Sequence, residues 1–150
     1  MEARVNFQEK GQGALKVLFS MGGYLKKSTI GHQLLELVNF RVSQINGCAY
    51  CLDMHSKDLR AMGETEQRLY GVSAWRETPY YSERERAAFA WAEAVTHCHV
   101  SEEVFQEVSN HFTEEEMIDL TFSVNNINNW NRLNIAFQTV PGDYRVGQFG

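Results

Sequence analysis

Two capping boxes, which fix where helices begin, constrain the fold of this chain more than any other feature of its sequence. Each box pairs a Ser or Thr side chain with a Glu three residues later, so that two free backbone N–H groups at a helix start are satisfied together. They are Ser82-Glu-Arg-Glu85 and Thr113-Glu-Glu-Glu116. The boxes predict one helix over residues 83–97 and a long helix from 113 to about 138, with Pro141-Gly142 beyond its end.

Weaker start and stop signals predict helices over the remainder of the chain. Gly22-Gly23 is expected to break a first helix, Ser28-Thr29 to cap a second, and Gly47 to stop it. The predicted ranges are 14–21, 30–46, 48–62, 65–75 and 101–111. No segment alternates as a strand does, and no repeat or linker divides the chain. We therefore predict one all-α domain over residues 1–150, a bundle of about six to seven helices.

Charge and composition exclude several classes of protein. A net charge of −5 argues against a nucleic-acid partner, because binding phosphates needs clustered Lys and Arg. No apolar run approaches the roughly 20 residues of a membrane-spanning helix, and the first ten residues lack the apolar segment of a signal peptide. We therefore expect a cytoplasmic protein, in which structural disulfides are uncommon and a CxxC pair is usually catalytic or metal-binding. Three cysteines, an odd number, also exclude a complete disulfide framework.

The segment Cys48-Ala-Tyr-Cys51-Leu-Asp-Met-His55 places such a pair at the start of a predicted helix. The positive end of the helix dipole favours a thiolate over a thiol, and so lowers the pKa of a cysteine in that position. Cys48 and Cys51 are three residues apart and share a helix face, while His55 follows Cys51 by four residues and lies beside its sulfur. Tyr50 is about 100° from Cys51 on the helical wheel, so we expect it to flank the site.

Glu36 lies in the helix that precedes this pair. If the two helices joined at Gly47 are antiparallel, Glu36 and His55 lie at similar distances from the turn and can meet, directly or through a water molecule. A carboxylate in that position would orient the imidazole and keep it available as a base. These residue types therefore predict redox or nucleophilic chemistry at sulfur.

Glu36 and the segment Ser43–His55, which ends in C-x-x-C-x-x-x-H, resemble the core motif of alkylhydroperoxidase D-like proteins. These proteins belong to the carboxymuconolactone decarboxylase superfamily. The resemblance extends over about residues 30–138 and includes Glu64–Tyr70 and Asn128–Arg132. It implies an all-α fold, a homo-oligomer that is often a trimer or hexamer, and peroxidase or disulfide-reductase chemistry in antioxidant defence. It also implies that no haem, flavin or metal cofactor is needed.

The resemblance further implies a role for each residue of the motif. Cys51 would be the thiolate that attacks the peroxide, Cys48 the resolving thiol, and Glu36 with His55 the proton relay. Tyr50 stands where the best-known members have a second relay histidine, and a phenol with an ordinary pKa of about 10 is a poorer base than imidazole. The implied partners are a peroxide substrate and a dithiol electron donor, such as a lipoyl protein or another thiol reductant.

Other interpretations of the motif remain open from sequence alone. Cys48 and Cys51 could bind a structural zinc ion with His97 and His99, although an H-x-H spacing does not match common zinc fingers. The cysteines could also be plain core residues. A protein that used the same disulfide as a non-enzymatic redox sensor is the main functional alternative. A decarboxylase is disfavoured, because relatives with that activity lack the paired cysteines.

Two groups of polar residues have no assigned role at this point. Arg41 falls inside the apolar face of the Glu36 helix, where a guanidinium needs a carboxylate or carbonyl partner or must reach water. The last predicted helix is rich in asparagines, which lower helix propensity. They are Asn125, Asn126, Asn128, Asn129, Asn131 and Asn134. This helix could line an oligomer interface or a polar pocket near the thiols.

Overall fold

The computed structural model describes residues 1–149, and all the regular structure in them is helical. The α-helices are α1 (Phe7–Lys10), α2 (Gln12–Leu25), α3 (His32–Asn46), α4 (Ala49–Ala61), α5 (Glu66–Gly71), α6 (Glu83–Thr96), α7 (Glu102–Ser109) and α8 (Glu114–Phe137). A 3-10 helix, Val72–Glu77, follows α5. The all-α prediction is confirmed, with more helices than the six to seven expected. None of the helices in the described range is long and apolar enough to cross a membrane.

Both capping boxes form as the sequence predicts. Ser82 Oγ accepts a hydrogen bond from the Glu85 N–H, and Glu85 Oε2 accepts one from the Ser82 N–H at 2.7 Å. Thr113 and Glu116 make the same reciprocal pair at the start of α8. The predicted starts of α6 and α8 are therefore correct, and α8 ends at Phe137, one residue before the predicted limit.

The predicted break at Gly22-Gly23 is wrong, because α2 continues through both glycines to Leu25. Each glycine costs a helix about 1 kcal/mol relative to alanine. Burial of Leu15 and Leu25 on the face of α2 that packs against α8 offsets this cost. Tertiary packing therefore overrides the local break signal, and the four-residue α1 that precedes α2 was not predicted at all.

The predicted cap at Ser28-Thr29 is also wrong, since α3 begins at His32 after Gly31. Gly31 has a φ of 93°, a left-handed conformation that glycine adopts without strain. The Thr29 hydroxyl instead donates a hydrogen bond to Glu116 Oε1 at 3.1 Å and so ties this turn to α8. The predicted helix over 65–75 is likewise divided into α5 and the 3-10 helix.

Helix α3 lies at the centre of the bundle and packs against α4, α6 and α8. Its residues Val38 and Val42 are fully buried among apolar side chains of α6 and α8. A second apolar cluster joins Leu37 and Phe40 of α3 to Leu59 of α4 and to the 3-10 helix. Because α3 contacts both α4 and α8, it fixes the positions of these two helices relative to each other.

Arg41 has the carboxylate partner that its position on α3 requires. Its Nε and Nη2 atoms lie 2.9 and 2.8 Å from Glu93 Oε1, and Glu93 also accepts hydrogen bonds from Trp75 and Arg76. The Arg41 and Glu93 side chains are only 16% and 15% exposed. Burial raises the pKa of the Glu93 carboxyl, but these hydrogen bonds outweigh burial and lower it. The pair is therefore a charged link between α3 and α6.

Replacement of Glu93 by Gln is expected to lower the free energy of unfolding by about 3 kcal/mol, because it leaves the Arg41 charge buried without its counter-ion. The folded-state pKa of Glu93 is lowered, so its stabilisation is present above the unfolded pKa of about 4.3 and is lost as the pH falls through the folded value. The difference between wild type and Glu93→Gln in urea denaturation should therefore shrink below about pH 4.

Arg76→Gln is the matched control for this measurement. The Arg76 side chain is 58% exposed and pairs with the same carboxylate, so its loss should cost less than about 1 kcal/mol. Equal effects of the two substitutions would show that burial does not distinguish the two ion pairs.

Candidate active site

Cys48 and Cys51 lie at the N-terminus of α4 and are joined by a disulfide. Cys48 is the N-cap residue itself, one position before the first helical residue, and its Sγ accepts a hydrogen bond from the Cys51 N–H at 3.3 Å. The Cα atoms are 5.4 Å apart. Both side chains are 1% exposed. Reactants can therefore reach these sulfurs only through an opening in the protein.

His55 lies one turn after Cys51 and directly contacts Glu36 of α3. Its Nδ1 is 2.6 Å from Glu36 Oε2, and Glu36 also accepts a hydrogen bond from Asn39 Nδ2 at 3.2 Å. Burial raises the pKa of the Glu36 carboxyl, but the charge and hydrogen bond of His55, with smaller effects of His32 and Asn39, outweigh burial and lower it. The meeting of these two side chains across the helix pair agrees with the geometry expected from the sequence.

The Glu36 contact determines which nitrogen of His55 is free. A carboxylate only accepts hydrogen bonds, so Nδ1 carries a proton in this contact, and Nε2 is the nitrogen left to exchange a proton. Nε2 is buried and has no hydrogen-bond partner among residues 1–149. The side chains of His55 and Cys51 both line one cavity in the protein. The arrangement can therefore take up a proton at Nε2 while Glu36 stabilises the resulting imidazolium.

Asn134 of α8 is a further residue in contact with the reactive pair. Its Nδ2 donates a hydrogen bond to Cys51 Sγ at 3.5 Å and another to the Trp130 carbonyl at 2.9 Å. The side chain is 6% exposed. A buried amide donor beside a sulfur stabilises negative charge on it more than it stabilises the neutral thiol. Asn134 was one of six asparagines noted in the sequence, but its contact with Cys51 was not predicted.

Other asparagines of α8 fix the position of that helix against α3. Asn131 is fully buried and donates to Ser43 Oγ at 3.0 Å. Asn46 Nδ2 donates to the Oδ1 atoms of Asn128 and Asn131, each at 2.9 Å. Asn134 follows Asn131 by one helical turn, so this network sets the register that brings it to Cys51. Asn128 and Asn131 therefore lie inside the protein, between α8 and α3.

Replacement of Asn134 by Leu, in reduced protein carrying Cys48→Ser, is expected to slow alkylation of Cys51 by iodoacetamide near neutral pH. A hydrogen bond to a charged group contributes about 1.5–3 kcal/mol, so the midpoint of the pH–rate profile should rise by about one unit or more.

Peptide mass spectrometry separates alkylation of Cys51 from alkylation of Cys98, which is exposed. Asn129→Leu, an exposed position on the same helix, is the control and should leave the profile unchanged. An unchanged profile in Asn134→Leu would contradict the role given to this amide.

A cavity of about 960 Å³ opens onto Cys51, His55 and Glu36. Its walls come from α1, α2, α3, α4, α8 and the C-terminal segment, and most of their surface is apolar. The apolar lining residues are Phe7, Leu15, Leu18, Phe19, Leu25, Leu35, Met54, Ala61, Met62, Ile127, Trp130, Val146 and Phe149. Cys48 is not among the lining residues. The cavity therefore distinguishes the two sulfurs, because only Cys51 faces the route by which a reactant arrives.

Tyr50 also lines this cavity and is half-buried, at the flank expected from the helical wheel. Burial raises the pKa of its phenol, and a hydrogen bond with Gln8 only partly opposes this. A phenol with a raised pKa stays protonated near neutral pH. Tyr50 is therefore placed to donate a hydrogen bond into the cavity rather than to accept a proton there.

The C-terminal segment 141–149 closes one side of the cavity and is fastened to α4. Lys57 Nζ donates to the carbonyls of Gly142 and Tyr144 at 3.0 and 3.2 Å. The Tyr144 hydroxyl donates to both oxygens of Asp58 at 2.9 and 2.8 Å. Burial, and then Asp58, raises the pKa of Tyr144, so this contact persists over the physiological range. No sequence pattern predicts this closure, since the segment is short and irregular.

The residues of the alternative zinc site do not come together. His97 and His99 are exposed at the C-terminal end of α6, whereas Cys48 and Cys51 are buried at the start of α4. Across residues 1–149, no three His, Cys, Asp or Glu side chains form a group that could hold a metal ion. Cys98 lies between the two histidines as an exposed thiol with a φ of 54°.

A sequence profile of the carboxymuconolactone decarboxylase family matches residues 12–94. The match spans more than half of the chain and contains Glu36, Cys48, Cys51 and His55. The chain belongs to this family. Within the family it is AhpD-like, because it is 34% identical to a structure suggested to be of that type and has the same fold. Asn134 and Tyr144, which complete the site, lie beyond the matched range.

Individual relatives share the fold over nearly the whole chain. The uncharacterized protein YdfG of Bacillus subtilis is 43% identical over 139 residues, which cover 91% of this chain and 95% of that protein. A structure from Agrobacterium tumefaciens, of unknown function but suggested to be the antioxidant defence protein AhpD, is 34% identical with a TM-score of 0.91, covering 95% of this chain and 100% of that one. The debrominase Bmp8 shares the fold at 22% identity, with a TM-score of 0.79 and coverage of 89% and 74%.

Proposed function

We propose that this protein is a thiol-dependent peroxidase that reduces hydroperoxides through a Cys48–Cys51 dithiol–disulfide cycle. The observation that carries the proposal is the position of Cys51, which faces the cavity while its sulfur contacts Asn134 and is bonded to Cys48. The Glu36–His55 pair, 2.6 Å apart on the same cavity, supplies the base. Antioxidant defence is also the role suggested for the relative from Agrobacterium tumefaciens.

In the first step His55 Nε2 takes the proton of the Cys51 thiol, and Glu36 stabilises the imidazolium. The thiolate attacks the terminal oxygen of the hydroperoxide, so that an S–O bond forms and the O–O bond breaks. Cys51 becomes a sulfenic acid, and the departing alkoxide takes a proton from His55 to leave as the alcohol. Asn134 stabilises the sulfur anion before the attack, and Tyr50 donates a hydrogen bond to the peroxide.

In the second step the Cys48 sulfur attacks the Cys51 sulfenic acid, forming the disulfide and releasing water. A dithiol donor then reduces the disulfide by exchange and becomes a disulfide itself. One hydroperoxide and one dithiol thus give one alcohol, one water and one oxidised donor. Because Cys48 caps the helix on which Cys51 lies, the resolving sulfur is in place before oxidation, which limits over-oxidation of Cys51.

The deciding experiment is peroxide consumption by the purified protein with a panel of dithiol donors, including dihydrolipoamide, dithiothreitol and a thioredoxin. Catalytic consumption of hydroperoxide with at least one donor is expected. Stoichiometric disulfide formation without turnover under every donor would contradict the proposal and favour the redox-sensor alternative. Because a variant of Bmp8 was crystallised in complex with 2,3,4-tribromopyrrole, that compound belongs in the same assay. Debromination faster than peroxide reduction would also contradict the proposal.

A further inference from the structure

The cavity at Cys51 carries one charged side chain that has no partner. Of the charged residues on its wall, Glu36 is held by His55 and Asn39, and Asp58 accepts two hydrogen bonds from Tyr144. The Lys26 side chain is exposed and makes no ion pair or hydrogen bond within the described chain. Lys26 is therefore the one lysine or arginine on the described wall of the cavity, and it lies at an exposed position, as does the other basic side chain there, His32.

Between Lys26 and Cys51 the cavity is large and apolar. Its volume of about 960 Å³ lies at the upper end of ligand pockets, which occupy about 300–1,000 Å³. Buried side chains such as Leu15, Leu35 and Ile127 form its walls. Hydrogen peroxide has only two heavy atoms and would bury almost none of this surface, whereas a long hydrocarbon chain gains affinity from each methylene that leaves water.

We propose that the cavity binds a fatty-acid hydroperoxide, with the carboxylate at Lys26, the chain along the apolar walls and the hydroperoxide at Cys51. This inference rests on the proposed peroxidase function and names its substrate class. The chemical step is the one described above: the O–O bond breaks, Cys51 is oxidised to a sulfenic acid, and a hydroxy fatty acid leaves with its carboxylate unchanged. Lys26 recognises the substrate and takes no part in the reaction.

The kinetic test compares linoleic acid hydroperoxide with its methyl ester and with tert-butyl hydroperoxide, all below the micelle concentration. In wild type the fatty-acid hydroperoxide should have a kcat/KM at least tenfold above that of tert-butyl hydroperoxide. It should exceed its methyl ester by about fivefold, the ratio expected from one partly exposed ion pair. Equal values for acid and ester, or a preference for the small peroxide, would overturn the inference.

Lys26→Gln should abolish the preference for acid over ester while leaving turnover of tert-butyl hydroperoxide unchanged. Lys27→Gln is the matched control, because Lys27 is the next residue, is also exposed and does not line the cavity. It removes the same charge from the protein and should keep the wild-type preference. If both substitutions had the same effect, the preference would come from overall charge and not from a site at Lys26.

Binding of unreactive linoleic acid separates this inference from the proposed function. Trp130 lines the cavity, so its fluorescence should report binding, and Trp130→Phe should remove the signal. The Kd should rise about fivefold in Lys26→Gln and stay unchanged in Lys27→Gln. Lys26-dependent binding without any peroxide turnover would support the ligand class and refute the peroxidase function. Peroxide turnover with no binding of linoleic acid would support the peroxidase function and refute the ligand class.

Discussion

Replacement of Cys51 by Ser is expected to abolish peroxide turnover, with a fall in kcat/KM of at least about 10⁴-fold. A serine hydroxyl stays protonated near neutral pH, and no other thiol among residues 1–149 faces the cavity. Cys48→Ser should behave differently, because Cys51 can still attack one peroxide but its sulfenic acid is not resolved. The measurement is peroxide consumption under excess donor, in which Cys48→Ser gives a burst of one equivalent and then stalls.

Cys98→Ser is the control for both substitutions. Cys98 is the remaining cysteine, is exposed at the end of α6 and does not line the cavity. Its replacement should leave kcat/KM unchanged within about twofold. Residual turnover in Cys51→Ser, or loss of turnover in Cys98→Ser, would place the reaction at a different sulfur from the one that the cavity exposes.

The sequence predicted those parts of the molecule that depend on local patterns. The starts of α6 and α8 follow from capping boxes, in which both partners lie within four residues. The CxxC pair, its position at a helix N-terminus and the approach of Glu36 to His55 follow from helical spacing and from one short turn at Gly47. In these cases, contacts close in the chain determine the structure.

The parts that the sequence did not predict depend on contacts between distant segments. Helix α2 continues through Gly22-Gly23 because α8, about a hundred residues later, covers its apolar face. Asn134 contacts Cys51 only because α8 lies in a particular register against α3. The cavity combines walls from both ends of the chain. A count of asparagines marked α8 as unusual, but only the packed structure distinguishes Asn134 from exposed Asn129.

His55→Gln is expected to lower kcat/KM about 10³-fold and Glu36→Gln about 10²-fold, values typical of a base and of the residue that orients it. Gln at position 55 can still donate a hydrogen bond to Glu36, so the buried carboxylate keeps a partner and the fold is preserved. The double variant should be no slower than His55→Gln alone, because Glu36 acts through His55. Steady-state kinetics of the three variants, with thermal unfolding to verify folding, measure this coupling.

The pH dependence provides a separate check on Glu36. The pKa of its carboxyl is lowered in the folded protein, so the ionised form is present throughout pH 5–8 and is lost only as the pH falls through that lowered value. Wild-type activity between pH 5 and 8 should therefore contain no step from protonation of Glu36. If the effects of Glu36→Gln and His55→Gln multiplied instead of saturating, the two side chains would act independently. The contact of 2.6 Å between them would then be structural and not part of a proton relay.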